Sequence, residues 1–280
     1  MKRFIAILLV WPLIGSTLTL AQDDVLVESI FPDKNLEKAV RPYVFAKRNN
    51  EEPITAEDVI NISTVKGRDL QINDLTGLEL CKSLALLDLA HNEITDLTPL
   101  AGLKRLQSLT LTDNKISDIK PLGTVQALQY LELSTNSVSE ITPLQTLTNM
   151  NSLYLNHNRI KDLKPVIKLN KLWSLYLDNN RIDSISGIFY LDRLNTLSVR
   201  NNQIEDISPL FGLKQLYYLF LENNNITDLG ALCRIIEADS KGERRFSPFV
   251  KIYVEGNPLD FDARRKQLAH IKECGAKVFY

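Results

Sequence analysis

Three histidines, His91, His157 and His270, and three cysteines are the residues with which this chain of 280 residues could bind a transition metal or attack a substrate. Neither His91 nor His157 has a cysteine close in sequence, and none of these residues has metal-ligand spacing. The sequence also contains no P-loop, no G-x-S-x-G motif and no glycine-rich dinucleotide turn. We therefore expect no enzyme activity, no metal site and no cofactor.

The charge of the chain argues against nucleic acid as a partner. Lysine and arginine number 33 and the acidic residues 34, so the formal net charge is −1. Binding to the phosphate backbone needs a basic field, which this composition does not supply. The 44% of hydrophobic residues is typical of a globular protein with a substantial core.

The first residues have the pattern of a secretory signal peptide. Lys2 and Arg3 precede an apolar run over residues 4–14, and Thr19 and Ala21 are the small residues expected before a cleavage site. The apolar run is too short to anchor the chain across a bilayer. We therefore predict a signal peptide over residues 1–21, cleavage after Ala21, no membrane insertion after cleavage, and a secreted or periplasmic protein.

The cysteines are an odd number for an oxidising compartment. Cys81 occupies a small apolar position, which predicts a buried thiol. Cys233 and Cys274 both lie near the C-terminal end and could form a disulfide, although sequence alone does not establish the distance between them.

The dominant feature of the sequence is a repeat of 22 residues, marked by an asparagine. The segments "LALLDLAHNEITDLTPLAGL" and "LQSLTLTDNKISDIKPLGTV" show the unit with little variation. A degenerate coil begins at Ile62, and a last coil comes after 11 additional residues, which makes nine coils. The asparagines of the regular coils and the last coil are Asn92, Asn114, Asn136, Asn158, Asn180, Asn202, Asn224 and Asn257.

The sequence of each coil predicts one short strand followed by a segment that returns the chain to the start of the next strand. The L-x-L part has period two, which indicates a strand with one buried face, and the strands of adjacent coils should form a parallel sheet. Prolines at recurrent positions limit the return segment to short helical turns. The chain bends sharply after each strand, and the asparagine amide can donate to and accept from the backbone groups left unpaired there. We therefore assign the asparagines a structural role.

The repeat resembles the leucine-rich repeat family, in particular its 22-residue, internalin-like class of bacterial secreted and surface proteins. The resemblance implies an α/β solenoid: a right-handed superhelix with a concave parallel β-sheet, a convex side of short 3-10 or helical turns, and a cap at each end. It also implies binding without catalysis. The chain ends at Tyr280 without the wall-sorting motif of many members, so we expect a periplasmic or freely secreted protein.

The flanks resemble the caps of that class. "IFPDKNLEKAV" and "PITAEDVINI" predict a helical N-terminal cap, in which Thr55 and Asp58 have capping-box spacing. Pro42 departs from the pattern of the class and should kink or shorten the first helix. "LGALCRIIEADSKG" predicts a true helix ending at Gly242, and the last residues predict a helix followed by a strand. The expected boundaries are 22–61 for the N-terminal cap, 62–248 for the repeats, and 249–280 for the last coil and C-terminal cap.

The concave face carries the candidate ligand-binding residues. Outward positions lie six, four and two residues before each repeat asparagine, and in the later coils they hold aromatic and charged residues. Aromatic and arginine side chains are the usual anchors of protein interfaces. The candidate aromatic anchors are Tyr130, Tyr154, Tyr176, Phe220 and Tyr253, and the candidate orienting charges are Glu132, Asp178, Arg200 and Glu222.

Two other interpretations of this face remain open at this point. The aromatic side chains could serve only to stabilise the sheet through cross-strand pairing, and the charges could form a surface ladder of little energetic value. If the face does bind, a protein ligand is the first candidate. The alternatives are a glycan or cell-envelope component, which tyrosine and Trp173 could stack on, and a co-exported enzyme that the protein inhibits. We expect a monomer.

Overall fold

A computed structural model describes residues 28–243, 245 and 247–280 of the protein. The predicted signal peptide and its cleavage site lie outside the described residues. Within them, four α-helices occur: α1 (Lys34–Val40), α2 (Ala56–Val59), α3 (Gly230–Lys241) and α4 (Leu268–Glu273). The strands are β1 (Thr64–Lys66), β2 (Leu86–Asp88), β3 (Ser108–Thr110), β4 (Tyr130–Glu132), β5 (Ser152–Tyr154), β6 (Ser174–Tyr176), β7 (Thr196–Ser198), β8 (Tyr218–Phe220), β9 (Lys251–Tyr253) and β10 (Lys277–Phe279).

All ten strands form one parallel sheet in chain order, which confirms the predicted solenoid. The 22-residue repeat sets the register directly, because Leu131 pairs with Leu153 and Tyr154 with Tyr176. The longer last repeat keeps the same register, with Phe220 beside Tyr253. Each strand is only three residues long, with its central side chain in the core and its two ends facing outward. Residues at equivalent positions of successive coils are therefore neighbours on the sheet.

The opposite side of the solenoid consists of short 3-10 helices. Proline is the second residue in most of them, where its fixed φ and missing N–H cost no hydrogen bond. These segments are Leu78–Leu80, Thr98–Leu100, Lys120–Thr124, Thr142–Thr146, Lys164–Lys168, Ser186–Tyr190 and Ser208–Gly212. In the next coil, which has no proline there, α3 replaces the 3-10 turn, as the sequence predicted, and ends at Lys241 with Gly242 as its C-cap.

The core runs the length of the solenoid as stacked layers of aliphatic side chains. A single coil cannot bury its own apolar face, and each coil covers the apolar face of the coil before it. In the coil of β6, seven side chains are at most 1% exposed: Leu172, Leu175, Leu177, Ile182, Ile185, Ile188 and Leu191.

The N-terminal cap joins the first coil through Asp33. Its carboxylate accepts hydrogen bonds from the backbone N–H groups of Asn35 and Leu36, which caps α1, and also from those of Asn73 and Asp74 in the first coil. Several N–H donors lower the pKa of this carboxyl, although its partial burial acts in the opposite direction. One side chain thus begins a helix and attaches it to the repeats.

The remaining features of the caps follow the sequence. Thr55 and Asp58 form the predicted capping box at α2, and Pro42 lies in a 3-10 turn, Arg41–Tyr43, that ends α1. At the other end, a π-helical turn, Ala263–Gln267, leads into α4 and then into β10, which pairs with β9. No helix within the described ranges is both long and apolar enough to cross a bilayer.

The cysteines are all free thiols. Cys81 is buried as expected, and this burial raises the pKa of its thiol to about 12. The possible disulfide between Cys233 and Cys274 is not formed. The Sγ of Cys233 lies 3.6 Å from the carbonyl oxygen of Gln267, and that of Cys274 lies 3.8 Å from Nε2 of His270.

Candidate functional site

The repeat asparagines make the backbone contacts at the turn after each strand. Asn158 Oδ1 accepts from the Val138 N–H at 2.9 Å, and its Nδ2 donates to the carbonyls of Leu133 at 3.0 Å and Leu155 at 3.2 Å. Equivalent contacts join successive coils along the solenoid, up to Asn257. The amides are turned inward and their hydrogen-bonding capacity is used within the chain, so they are not presented to a ligand.

The residue before each of these asparagines has a left-handed backbone conformation, a feature that sequence reasoning missed. Aspartate, asparagine and histidine tolerate this region better than other residues with a side chain, and such residues dominate the position. The recurrence of these residue types before the asparagines was the signal in the sequence that could have revealed the left-handed turn. The residues at this position are His91, Asp113, Thr135, His157, Asn179, Asn201, Asn223 and, in the last coil, Gly256. In the degenerate coil, Asp69 and Gln71 on either side of Leu70 have the same conformation.

This conformation accounts for two of the three histidines. His91 Nδ1 lies 3.0 Å from Oδ2 of Asp113, and His157 Nε2 lies 3.3 Å from Nδ2 of Asn179. Each histidine therefore contacts the residue one coil further along at the same turn position. Within the part of the chain that the structure describes, no group of three or more histidine, cysteine or acidic residues is placed to hold a metal ion.

Three of the predicted anchors form one set of contacting rings on the strand face, which we call the N-terminal aromatic group: Tyr130, Tyr154 and Tyr176. The ring centroids of Tyr130 and Tyr154 are 5.4 Å apart with the planes tilted by 43°. Tyr154 and Tyr176 stack at 4.8 Å with an angle of 11°. Partial burial raises the pKa of all three phenols, that of Tyr130 to about 12, so the hydroxyl groups stay protonated and can donate hydrogen bonds.

Glu132 lies against this group. It follows Tyr130 on β4 with one residue between them, and it is in register with Tyr154 on β5. Its Oε1 accepts a hydrogen bond from the Ser134 N–H at 2.8 Å. Burial is the largest influence on its carboxyl and raises the pKa above the ordinary value. Hydrogen bonds with Ser134 and Thr112 act in the opposite direction and do not outweigh it.

The other predicted charges form a single cluster, the charged rung, made of Asp178, Arg200 and Glu222. Arg200 Nε lies 3.0 Å from Oε1 of Glu222, and its Nη1 lies 3.6 Å from Oδ2 of Asp178. Ser198, which is 0% exposed, donates to Oδ1 of Asp178 at 2.5 Å. The charged rung therefore links three successive coils. Its side chains contact one another, but Oε2 of Glu222 is buried and has no hydrogen-bond partner among the described residues.

Asp178 also continues a second hydrogen-bonded ladder that the sequence did not reveal. Its Oδ1 accepts from the Arg200 N–H at 2.9 Å, and its own N–H donates to Oδ1 of Asn156 at 2.8 Å. The Asn156 N–H in turn donates to Oγ of Ser134 at 3.2 Å. Side chains two residues before the repeat asparagines thus contribute to the sheet edge as well as to its surface.

The remaining anchors belong to the C-terminal aromatic group, made of Tyr218, Phe220, Tyr253 and Phe279. The ring centroids of Phe220 and Tyr253 are 4.7 Å apart, and those of Tyr253 and Phe279 are 4.5 Å apart. Phe279 was missed, although "KVF" repeats the pattern of "KIY" in the preceding strand and is in register with it. The buried Ser198 lies in register between Tyr176 and Phe220, so the two aromatic groups are separate.

Cations of the chain itself cover the C-terminal aromatic group. The guanidinium carbon of Arg200 lies 4.0 Å from the ring centroid of Phe220, and the Lys251 Nζ lies 5.0 Å from that of Tyr218. Both distances are within the range of cation–π attraction.

Comparison with known proteins agrees with this architecture. A family model described as "Leucine Rich repeats (2 copies)" matches residues 82–124, 104–146, 126–168, 148–190 and 192–234. No curated protein matches the sequence. The crystal structure of internalin C2 from Listeria monocytogenes is 32% identical with a TM-score of 0.71, and the match covers 74% of this chain and 91% of that one.

Two more distant structures share the fold. A leucine-rich repeat protein of Leptospira interrogans is 22% identical with a TM-score of 0.55, over 72% of this chain and 56% of that one. The plant peptide hormone receptor RGFR1, in complex with RGF2, is 19% identical with a TM-score of 0.54, over 64% of this chain and 29% of the receptor. With its repeat geometry, its matched repeats and its likeness to internalin C2, the chain belongs to the leucine-rich repeat family and to its internalin-like class.

Proposed function

We propose that this protein is an exported, non-catalytic recognition module that binds a protein ligand on the concave strand face. The observation that carries the proposal is the N-terminal aromatic group. Its three rings point away from a core that is already closed by the leucines of the same strands, so the core does not need them. Rigid aromatic side chains with protonated hydroxyl groups supply contact area and hydrogen bonds at low entropic cost.

Two further points support the proposal. The plant receptor with the same fold was solved in complex with RGF2, so this architecture presents a binding surface in at least one distant relative. The basic and apolar N-terminal segment of the sequence supports export.

The test is capture of a partner from the envelope and culture fluid of the native organism, with the protein as bait. We expect Tyr154→Ala with Tyr176→Ala to lose a protein that the wild type retains. Phe189→Ala with Phe211→Ala is the matched control, because these aromatic residues are 42% and 61% exposed on the 3-10 side. Retention of the partner by the tyrosine variant, with loss from the phenylalanine variant, would place binding on the 3-10 side and contradict the proposal. If the partner is an enzyme, its activity with and without the protein tests inhibition.

A glycan ligand is the second candidate, favoured by the surroundings of Trp173. This side chain is 50% exposed beside a cavity of about 570 Å³ that is also lined by Asn151, Lys171, Arg193 and Gln215. An exposed indole with amide groups around it suits a sugar ring. Since Trp11 lies in the predicted signal peptide, Trp173 would be the sole tryptophan after cleavage. Soluble cell-wall fragments should quench the fluorescence of Trp173. Binding calorimetry should then show that the Trp173→Phe variant no longer binds these fragments, and both results together would support this candidate.

A further inference from the structure

The aromatic rings of the concave face differ in what covers them. In the C-terminal aromatic group, Arg200 lies over Phe220 and Lys251 lies over Tyr218. Both cations come from the coil adjacent to the ring that they cover. In this group the chain itself therefore supplies the positive charge over its rings.

The N-terminal aromatic group has the same kind of rings without such a cation. Among the described residues, no lysine or arginine lies over the ring of Tyr130 or Tyr154, and none forms an ion pair with Glu132. Glu132 is in register with Thr110 on one neighbouring strand and with Tyr154 on the other, and both are neutral.

The basic side chains on the face lie several strands away from Glu132. Lys66 and Arg68 belong to the coil of β1, three strands from β4, which is about 14 Å at normal strand spacing. Arg68 Nε lies 2.7 Å from Oδ2 of Asp88, and its charge has a lowering effect on the pKa of Tyr130 that burial outweighs. Arg200 belongs to the charged rung, three strands from β4 in the other direction. A half-buried carboxylate near two tyrosine rings thus has no ion pair with a described residue.

This combination of groups selects for positive charge. A carboxylate that has lost part of its hydration gains most from an opposite charge close to it. The faces of tyrosine rings attract the same charge through their quadrupole, and the attraction grows when water is excluded. A neutral ligand group placed here would instead complete the burial of Glu132 without compensating it.

We infer that Tyr130, Glu132 and Tyr154 form a subsite for a lysine or arginine side chain of the protein partner. The inference rests on the proposed function, since it assumes that the partner lies on the concave face. It adds a specificity: the partner presents a basic residue at this point, with apolar contacts continuing along Tyr154 and Tyr176. The ammonium or guanidinium group approaches the Glu132 carboxylate, and the aliphatic stem lies on the rings.

The test is a selection of random dodecapeptides displayed on phage against the immobilised protein, followed by affinities from fluorescence anisotropy. We expect the selected peptides to be enriched in lysine or arginine. Replacing that basic residue by norleucine should weaken binding to the wild type at least about tenfold, and binding to Glu132→Gln less than about twofold. Gln keeps one acceptor oxygen for the Ser134 N–H, although the hydroxyl groups of Ser134 and Thr112 also bond to the Glu132 carboxylate. Glu255→Gln, an exposed position on the same face, is the control and should behave as the wild type.

The outcomes separate the subsite from the proposed function. If the peptides need Tyr154 and Tyr176 but show neither a basic preference nor a response to Glu132→Gln, the subsite is overturned and the concave face stands as the binding surface. If the peptides bind the double alanine variant as tightly as the wild type, the proposed function itself fails. An empty selection also counts against the subsite, because a site for one basic side chain needs no folded partner.

Discussion

The two aromatic groups of the concave face are built from similar residues and differ in their charges. The C-terminal group contains its own cations, and Arg200 is held in turn by Asp178 and Glu222. The N-terminal group contains a carboxylate, Glu132, whose surroundings raise its pKa, and no cation of the described chain lies over Tyr130 or Tyr154. The rings of Tyr218 and Phe220 are covered by cations of the chain itself, whereas those of Tyr130 and Tyr154 are not covered by any described cation.

The difference distinguishes the part of the surface that the chain supplies with its own cations from the part that we propose to bind a ligand. Cations that the chain itself holds over aromatic rings contribute to stability, whereas a half-buried carboxylate without an ion pair lowers stability and is compensated when a ligand supplies the opposite charge. Mutations in the two groups should therefore differ in their effects on stability and on binding.

The largest difference is expected from paired alanine substitutions. Phe220→Ala with Tyr253→Ala should lower the free energy of unfolding by about 2–4 kcal/mol, because it removes three ring contacts and uncovers Arg200. Tyr154→Ala with Tyr176→Ala should cost about 1–2 kcal/mol, since the rings contact mainly each other and Tyr130. Urea denaturation followed by circular dichroism measures both. Equal losses would remove the contrast between the groups.

A smaller effect is expected at the left-handed turn positions. The coil of Glu132 has Thr135 there, with φ of 58°, whereas the coils of the C-terminal group have Asn201 and Asn223. A β-branched residue is strained in this conformation, so Thr135→Asn should stabilise the protein by about 0.5–1 kcal/mol. The reverse change, Asn201→Thr, should cost at least as much, because it also loses the hydrogen bond from Asn223 Nδ2 at 2.8 Å. Chemical denaturation of the two single variants tests this pair, and a destabilised Thr135→Asn would refute the strain.

The smallest effect concerns pH. The pKa of Glu132 is raised in the folded protein, so the folded state binds this proton more tightly than the unfolded state. Wild-type stability should therefore fall as the pH rises from the ordinary value of 4.5 through the raised pKa, and stay lower above it. Glu132→Gln has no proton to lose there and should be more stable at pH 7 by on the order of 0.5 kcal/mol.

Thermal unfolding of the wild type and Glu132→Gln across acidic and neutral pH measures this difference, which should vanish below the ordinary pKa. Glu255→Gln on the same face provides the baseline for removing one negative charge. A Glu132→Gln variant that is less stable at neutral pH would show that the carboxylate supports the fold, and would weaken the contrast between the two groups.

Most of the fold could be predicted because the repeat period carries the geometry. A spacing of 22 residues places Leu131 beside Leu153 and Tyr154 beside Tyr176 without any knowledge of side-chain packing. The same reasoning was weaker where the repeat ends, since no repeat asparagine comes after Phe279 and this residue was missed. It also could not show that Asp178 accepts from Ser198 and from the next coil, because the outward direction of a strand residue does not say which neighbour its atoms reach.

The sequence by itself determined the solenoid, its parallel sheet, the caps and the column to which each outward residue belongs, because these follow from local periodicity and turn chemistry. Only the tertiary structure decided how the columns interact. It divided the predicted anchors at the buried Ser198, placed Arg200 and Lys251 over rings, and left Glu132 without a cation. The physical reason is that ring stacking, ion pairing and desolvation depend on side-chain directions and distances of a few ångströms between coils. Periodicity assigns a residue to a face and does not set those distances.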